Sequence, residues 1–222
     1  MVVEDSDKID INDIVKKEIL NKSIDLTTDY TEIALDALLT DGILREVPMV
    51  KSLLSFYDVT RSVIDRHKIN KILAFFKEFH SGSILEDKFE AFKIKFNQDK
   101  KYQRHVLETI ILYNERFLHI LKSRILANLL KAHIEQLISK DEFDDIAVVL
   151  DILHPKGIEE LNKFYPLNGK WHQFLSTSWK ARYEGTLLMS AGIAGTHSGT
   201  FLITPLGQQL YEFGIKPLNM GV

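Results

Sequence analysis

The chain has 222 residues, of which 45% are hydrophobic and 27% are charged, and its formal net charge is −3 at pH 7. This composition predicts a globular protein with a substantial core and excludes an intrinsically disordered chain. The small net charge excludes a general attraction to nucleic acid or anionic lipid, so any partner must be identified from local patterns.

Cysteine is absent from the sequence, which excludes disulfides, thiolate metal sites and cysteine nucleophiles. Residues 1–7 are acidic and lack the basic and apolar regions of a secretory signal. The longest run without a charged residue, 185–211, contains polar and turn-forming residues that would not sit in hydrocarbon. We therefore expect a cytoplasmic protein, with peripheral attachment to a membrane as the alternative.

The first part of the chain predicts two helices before the proline at position 48. Residues 13–19 form a short amphipathic pattern, and a firmer helix begins near Thr31 and stops at Gly42. The tight link from there to Pro48 indicates that the next helix packs beside the second one or turns a sharp corner from it.

Residues 48–79 carry the richest apolar pattern of the chain and predict one long helix, either straight or bent. Apolar residues recur at three- and four-residue steps, Pro48 suits the first turn, and Gly82 follows the end. The face to which we assign contact with a partner or a membrane consists of Val50, Leu53, Leu54, Tyr57 and Ile64. One interpretation makes this the central helix of a bundle, and the other makes it a helix that leaves the core for a membrane. Its uncharged run, 52–57, is too short to span a bilayer.

The middle of the chain predicts helices over residues 86–96, 102–121, 123–138 and 140–153. The second and third either form one continuous helix or are broken near Asn114 or Ser123. The last of the four begins with a capping box, in which the side chains of Ser139 and Glu142 each bind the other's backbone. Nearby aspartates indicate a solvated helix start rather than a metal site, because acids are favoured at that end of a helix. Together these patterns predict a helical bundle over residues 1–154.

After residue 154 the pattern changes to short helices and a glycine-cornered hairpin. A helix runs to Ser190, residues 195–203 form the hairpin, and the Thr204-Pro205-Leu206-Gly207 sequence begins a last helix that ends at Gly214. This order resembles a winged-helix domain over residues 155–222. The fold class that we predict is therefore mostly α, with an N-terminal helical bundle followed by a small winged-helix-like (α+β) domain.

The winged-helix resemblance implies either DNA binding or protein binding. DNA binding would place His172, Lys180 and Arg182 near phosphates. So few cations neutralise few phosphates, and affinity for DNA depends on that neutralisation. A structural or protein-binding role is therefore favoured.

A second resemblance covers residues 33–79 and the order of the parts that follow them. The features that carry it are Gly42-Ile43-Leu44, Val47-Pro48, the segment 62–66 and the segment 71–76. They are similar to a family of uncharacterised bacterial proteins, some of which occur in mobile-element or phage-defence neighbourhoods. That family supplies no established activity to carry over.

The sequence lacks the motifs of common catalytic sites. It has no phosphate-binding glycine loop, its eight histidines lack zinc spacing, and its serines lack an elbow motif. We therefore predict no catalytic residues, no metal and no cofactor. The predicted function is a non-enzymatic interaction module that binds a protein partner or itself. The alternatives are a membrane-acting effector that uses the helix after Pro48 and a DNA-binding regulator that uses the winged-helix-like domain.

Overall fold

The computed structural model describes residues 10–21, 48–57, 62–165, 173–175, 179–197 and 200–220. These residues are mostly helical, which confirms the mostly α part of the predicted fold class. The predicted helix between Thr31 and Gly42 lies outside the described residues, and so does His172.

The N-terminal and central parts of the described chain consist of successive helices. Their bounds are α1 Ile11–Leu20, α2 Pro48–Phe56, α3 Val63–His80, α4 Glu86–Gln98, α5 Lys100–Arg116, α6 Ile120–Ile134, α7 Lys140–Ile152 and α8 Pro155–Phe164. The capping box that opens α7 is present: Glu142 N donates to Ser139 Oγ, and Ser139 N donates to a Glu142 carboxylate oxygen.

The prediction of one helix over residues 48–79 is wrong, because the helix is interrupted between α2 and α3. Ser62 has an extended backbone, and its side chain accepts a hydrogen bond of 3.0 Å from Asp65 N. That bond satisfies one of the free N–H groups at the start of α3, and Asp65 adds a favourable negative charge in the first turn. The capping signal therefore prevails over the continuous apolar pattern.

The core is centred on α3 and α6, which pack along each other. Phe75 and Phe76 of α3 are fully buried, and so are Ile125 and Leu129 of α6. Burying a side chain of this size stabilises the fold by about 1.5–3 kcal/mol. These two helices therefore form the rigid centre of the bundle.

A second break, at residues 117–119, separates α5 from α6. Phe117 takes an extended conformation at the end of α5 and is buried, whereas Leu118 is 81% exposed. This short corner forms one end of the bundle together with the turn between α7 and α8.

The C-terminal part contains a small sheet beside a helix. Strand β1 spans Gln173–Leu175, helix α9 spans Trp179–Ser190, and the hairpin strands are β2 Ala194–His197 and β3 Thr200–Ile203. Both other strands pair antiparallel with β3, so the order is β1-β3-β2. The hairpin was predicted, but β1 was not.

The final helical segment starts as predicted but does not end at Gly214. Thr204 caps helix α10 (Pro205–Gln209), which continues as a π-helical turn over Leu210–Ile215. Gly214 lies inside this turn and faces α6. A Cβ at this position would lie only 2.8 Å from Ile125 Cγ2. The glycine therefore permits close packing on α6 rather than ending the helix.

The C-terminal segment packs against the bundle. Asn128 Nδ2 of α6 donates to Gly214 O at 3.1 Å, and the buried apolar residues on both sides of residue 154 belong to one cluster. The division of the chain into two domains at residue 154 stays a prediction. In the part of the chain that the structure describes, no helix is both long and apolar enough to cross a membrane.

Candidate functional site

The structure separates the members of the predicted partner or membrane face. Val50, Leu53 and Tyr57 are buried in the core and Leu54 is partly buried, because α2 packs against α1 and α3. Ile64, in contrast, is 69% exposed. A partner or membrane could reach the buried members only if α2 left the core, and that release stays a prediction.

Ile64 lies beside the exposed corner between α5 and α6. His67, one turn further along α3, donates a hydrogen bond from Nε2 to the main-chain oxygen of Leu118 at 3.0 Å. This bond brings the first turn of α3 next to the corner. Two strongly exposed apolar side chains therefore occupy the same end of the bundle.

Leu118 also lines a groove of about 320 Å³ between the α5–α6 corner and the α7–α8 turn. Ile152, which is 58% exposed, lies on the other side of that groove. The polar lining consists of the charged residues Arg116, Lys122 and Asp151 together with His119 and His154. The groove thus combines apolar walls with basic side chains.

Two further exposed apolar residues extend this surface along the helices. Leu112 precedes Arg116 by one turn of α5, and Val148 precedes Ile152 by one turn of α7, with exposed fractions of 55% and 48%. An ion pair of 2.5 Å between Arg116 and Asp151 joins the two helices here. We call the set the bundle-end surface; it consists of Ile64, Leu112, Leu118, Val148 and Ile152.

Two buried lysines hold the helix ends beneath the bundle-end surface. Lys71 Nζ donates to Glu115 O at 3.0 Å and to Phe117 O at 2.6 Å, where α5 ends. Lys122 Nζ donates to Asp151 O at 2.8 Å, near the end of α7. These carbonyls lack helical partners, so the lysines satisfy them and offset the negative ends of the helix dipoles.

Burial affects the titration of both lysines. It lowers the pKa of Lys71 and the pKa of Lys122, while the nearby carboxylates of Glu115 and Asp151 act in the opposite direction. The hydrogen bonds to carbonyl oxygens use two of the three ammonium protons of Lys71 and one of those of Lys122. The geometry thus assigns the two lysines a structural role in fixing the shape of the groove.

The structure does not describe the side chains of the three residues that were predicted to bind nucleic acid. Helix α9 carries Lys180 and Arg182, but their side chains lie outside the described part of the structure, as does all of His172. DNA binding at these positions therefore stays a prediction.

The other polar clusters have structural partners. Asp144 accepts from His105 Nε2 and from Lys140 Nζ, each at 2.7 Å. Tyr102 Oη donates to His133 Nε2 at 2.8 Å, and His133 Nδ1 faces Ile138 O at 3.3 Å. Among the described residues, no group of three or more histidines and acids could hold a metal ion.

A second recess, of about 330 Å³, lies beside His80 at the opposite end of α3. The buried Nε2 of this histidine has no hydrogen-bond partner among the described residues. Burial, with a smaller contribution from Lys131, lowers the pKa of His80 to about 4. The imidazole is therefore neutral at pH 7.

Sequence reasoning identified Ile64 but missed the rest of the bundle-end surface. Leu118 was placed inside a predicted helix over residues 102–121, where an apolar residue is expected to face the core. The signal that could have found the site is the pair of lysines, Lys71 and Lys122, each within an apolar stretch. Such lysines require either a buried partner or an exposed face.

Comparison of the chain with protein-family models, with curated proteins and with solved structures finds no match. The two resemblances described above therefore stay predictions. Function must be inferred from the geometry of this chain alone.

Proposed function

We propose that this protein is a non-enzymatic interaction module that binds a protein partner, or a second copy of itself, through the bundle-end surface. The observation that carries this proposal is the group of five large apolar side chains, each about half exposed or more, on adjoining helices and their corner. Exposed apolar residues that lie together are characteristic of interaction sites, whereas isolated ones are ordinary.

Rigid support below the surface favours the same function. Lys71 and Lys122 tie two helix ends to the interior, and the Arg116–Asp151 ion pair joins α5 to α7. A surface whose shape is fixed before binding loses less conformational entropy when a partner docks. Both lysines are buried, so their bonds to the carbonyl oxygens are shielded from water.

The proposal includes a winged-helix-like C-terminal part with a structural or protein-binding role. The β1-β3-β2 order, the position of α9 before the hairpin and the Thr204 cap support this assignment. The final segment uses Gly214 to pack on α6, so this part braces the core helix of the bundle. A bacterial defence or mobile-element context rests on resemblance alone.

The proposal is tested by photocrosslinking from defined positions in the protein's own cells. A photoreactive phenylalanine analogue at position 118 should give one or more discrete crosslinked species. The same analogue at position 85, where Leu85 is 61% exposed near the opposite end of α6, serves as the matched control. No crosslink from position 118, or identical products from both positions, would overturn the proposal.

A further inference from the structure

We propose that the segment that binds the groove is an acidic amphipathic helix of a partner protein. This inference rests on the proposed function and adds the chemistry of the partner. An amphipathic helix inserts apolar residues spaced three or four apart into such grooves and keeps its polar face toward the rim.

The apolar half of the recognition comes from the groove walls. Leu118 lies on one side and Ile152 on the other, and Pro155 adds an apolar contact at the α7–α8 turn. Leu112 and Val148 continue the apolar surface along α5 and α7, which extends it beyond a single pocket. A helix laid along this surface can therefore place successive turns on apolar residues.

Basic side chains supply the charge half of the recognition. Arg116 has a 67% exposed side chain, and the buried Lys122 lines the same groove. The one acid in the lining, Asp151, is only 14% exposed and is paired with Arg116. The lining therefore holds two cations against one acid and carries a net positive charge, although the whole chain has a net charge of −3.

The helix ends at the groove also favour a negatively charged partner. The carbonyl ends of α5 and α7 would make this site negative, but Lys71 and Lys122 donate to them. Helices α6 and α8 begin at the groove, and α6 has no side-chain cap on its first N–H groups. Carboxylates on a partner helix would thus meet positive groups at the rim.

Other occupants fit these observations less well. A second copy would bring the same positive charge to an isologous contact, where like charges repel. A membrane surface favours a convex face with several lysines or arginines, whereas this site is recessed and has one strongly exposed arginine. Nucleic acid would leave the apolar walls without partners.

The test uses three designed helical peptides with the same leucine face and with glutamate, glutamine or lysine on the other face. Binding of each labelled peptide to the full chain is measured by fluorescence anisotropy. We expect the glutamate peptide to bind about threefold more tightly than the glutamine peptide, which is about 0.7 kcal/mol and is typical of one exposed charge contact. The lysine peptide should bind most weakly, and added salt should reduce the difference.

Two variants locate the site. Leu118→Asp should abolish binding of the glutamate and glutamine peptides, and Arg116→Gln should weaken only the glutamate peptide. Lys93→Gln, on α4, is the matched control for the charge change and should alter neither. Circular dichroism of each variant verifies that the helices are retained.

The outcomes separate this inference from the proposed function. Equal binding of the glutamate and glutamine peptides would overturn the acidic assignment, and binding of none would overturn the groove as a helix site. Binding to phosphatidylserine vesicles without peptide binding would replace the partner helix by a membrane. Failure of the proposed function would appear separately, as loss of crosslinking from position 118.

Discussion

Lys71 Nζ donates a hydrogen bond of 2.6 Å to the main-chain oxygen of Phe117, the residue that follows the end of α5. Lys131 of α6 does the same at the end of α3, where it donates to Glu78 O at 2.8 Å and to Ser81 O at 3.0 Å. With Lys122 at the end of α7, each lysine caps the C-terminus of a helix other than its own. The corners of this bundle are therefore fixed by tertiary contacts.

Replacing Lys71 by methionine should destabilise the fold by about 1–3 kcal/mol, because it leaves the carbonyls of Glu115 and Phe117 without their donor while keeping an apolar stem. The measurement is the free energy of unfolding in urea. Lys68→Met is the matched control, since Lys68 forms a partly exposed ion pair with Glu115 that is worth at most about 1 kcal/mol. Equal effects of the two substitutions would show that the buried bonds do not fix the corner.

His80 should make the protein sensitive to acid. Its pKa is about 4 in the fold and about 6.5 when unfolded, so between these values the unfolded state takes up the proton first. Stability should therefore fall as the pH drops from about 6.5 to about 4, by about 2 kcal/mol after allowance for partial exposure.

The variant His80→Phe keeps a ring against Phe76 and Phe79 but cannot be protonated. The difference in free energy of unfolding between this variant and the wild type, measured from pH 7 to pH 4.5, isolates the histidine from other titrating groups. A difference that does not change with pH would contradict the lowered pKa.

Gly214→Ala should destabilise the protein by about 1–3 kcal/mol, because the new methyl group would clash with Ile125 Cγ2 on the core helix α6. Cγ2 is attached directly to the Cβ of Ile125, so it can move only by a change of the restricted χ1 angle or by a shift of the helix. Gly195→Ala is the control, since nothing lies within 4 Å of a Cβ at that position. Thermal unfolding of both variants gives the comparison, and equal melting temperatures would argue against close packing at Gly214.

Local signals in the sequence predicted much of the fold. The Ser139–Glu142 capping box, the Thr204 cap and the glycine-cornered hairpin all appear where the pattern placed them. Each depends on residues within a few positions of one another, so the chemistry is visible in a short window. The break before α3 was missed because Ser62 caps the helix inside an apolar pattern that continues on both sides.

The candidate site could be predicted only in part because its residues are joined by long-range contacts. Lys71 finds its acceptors at Glu115 and Phe117, and Lys122 finds its acceptor at Asp151. Leu118 is exposed because its neighbour Phe117 takes the core position at the corner. A helical pattern read in one segment does not show which apolar residue faces a neighbouring helix.

The most direct test of the proposed function is sedimentation velocity of the labelled protein in an extract of its own cells. The double variant Leu118→Asp/Ile152→Asp removes the apolar walls of the groove, and Leu85→Asp/Leu137→Asp makes the same change at exposed residues near the other end of α6. We expect the wild type and the second variant to sediment as a complex and the first variant to sediment as a folded monomer. A monomeric wild type, or a complex that survives loss of Leu118 and Ile152, would contradict the account.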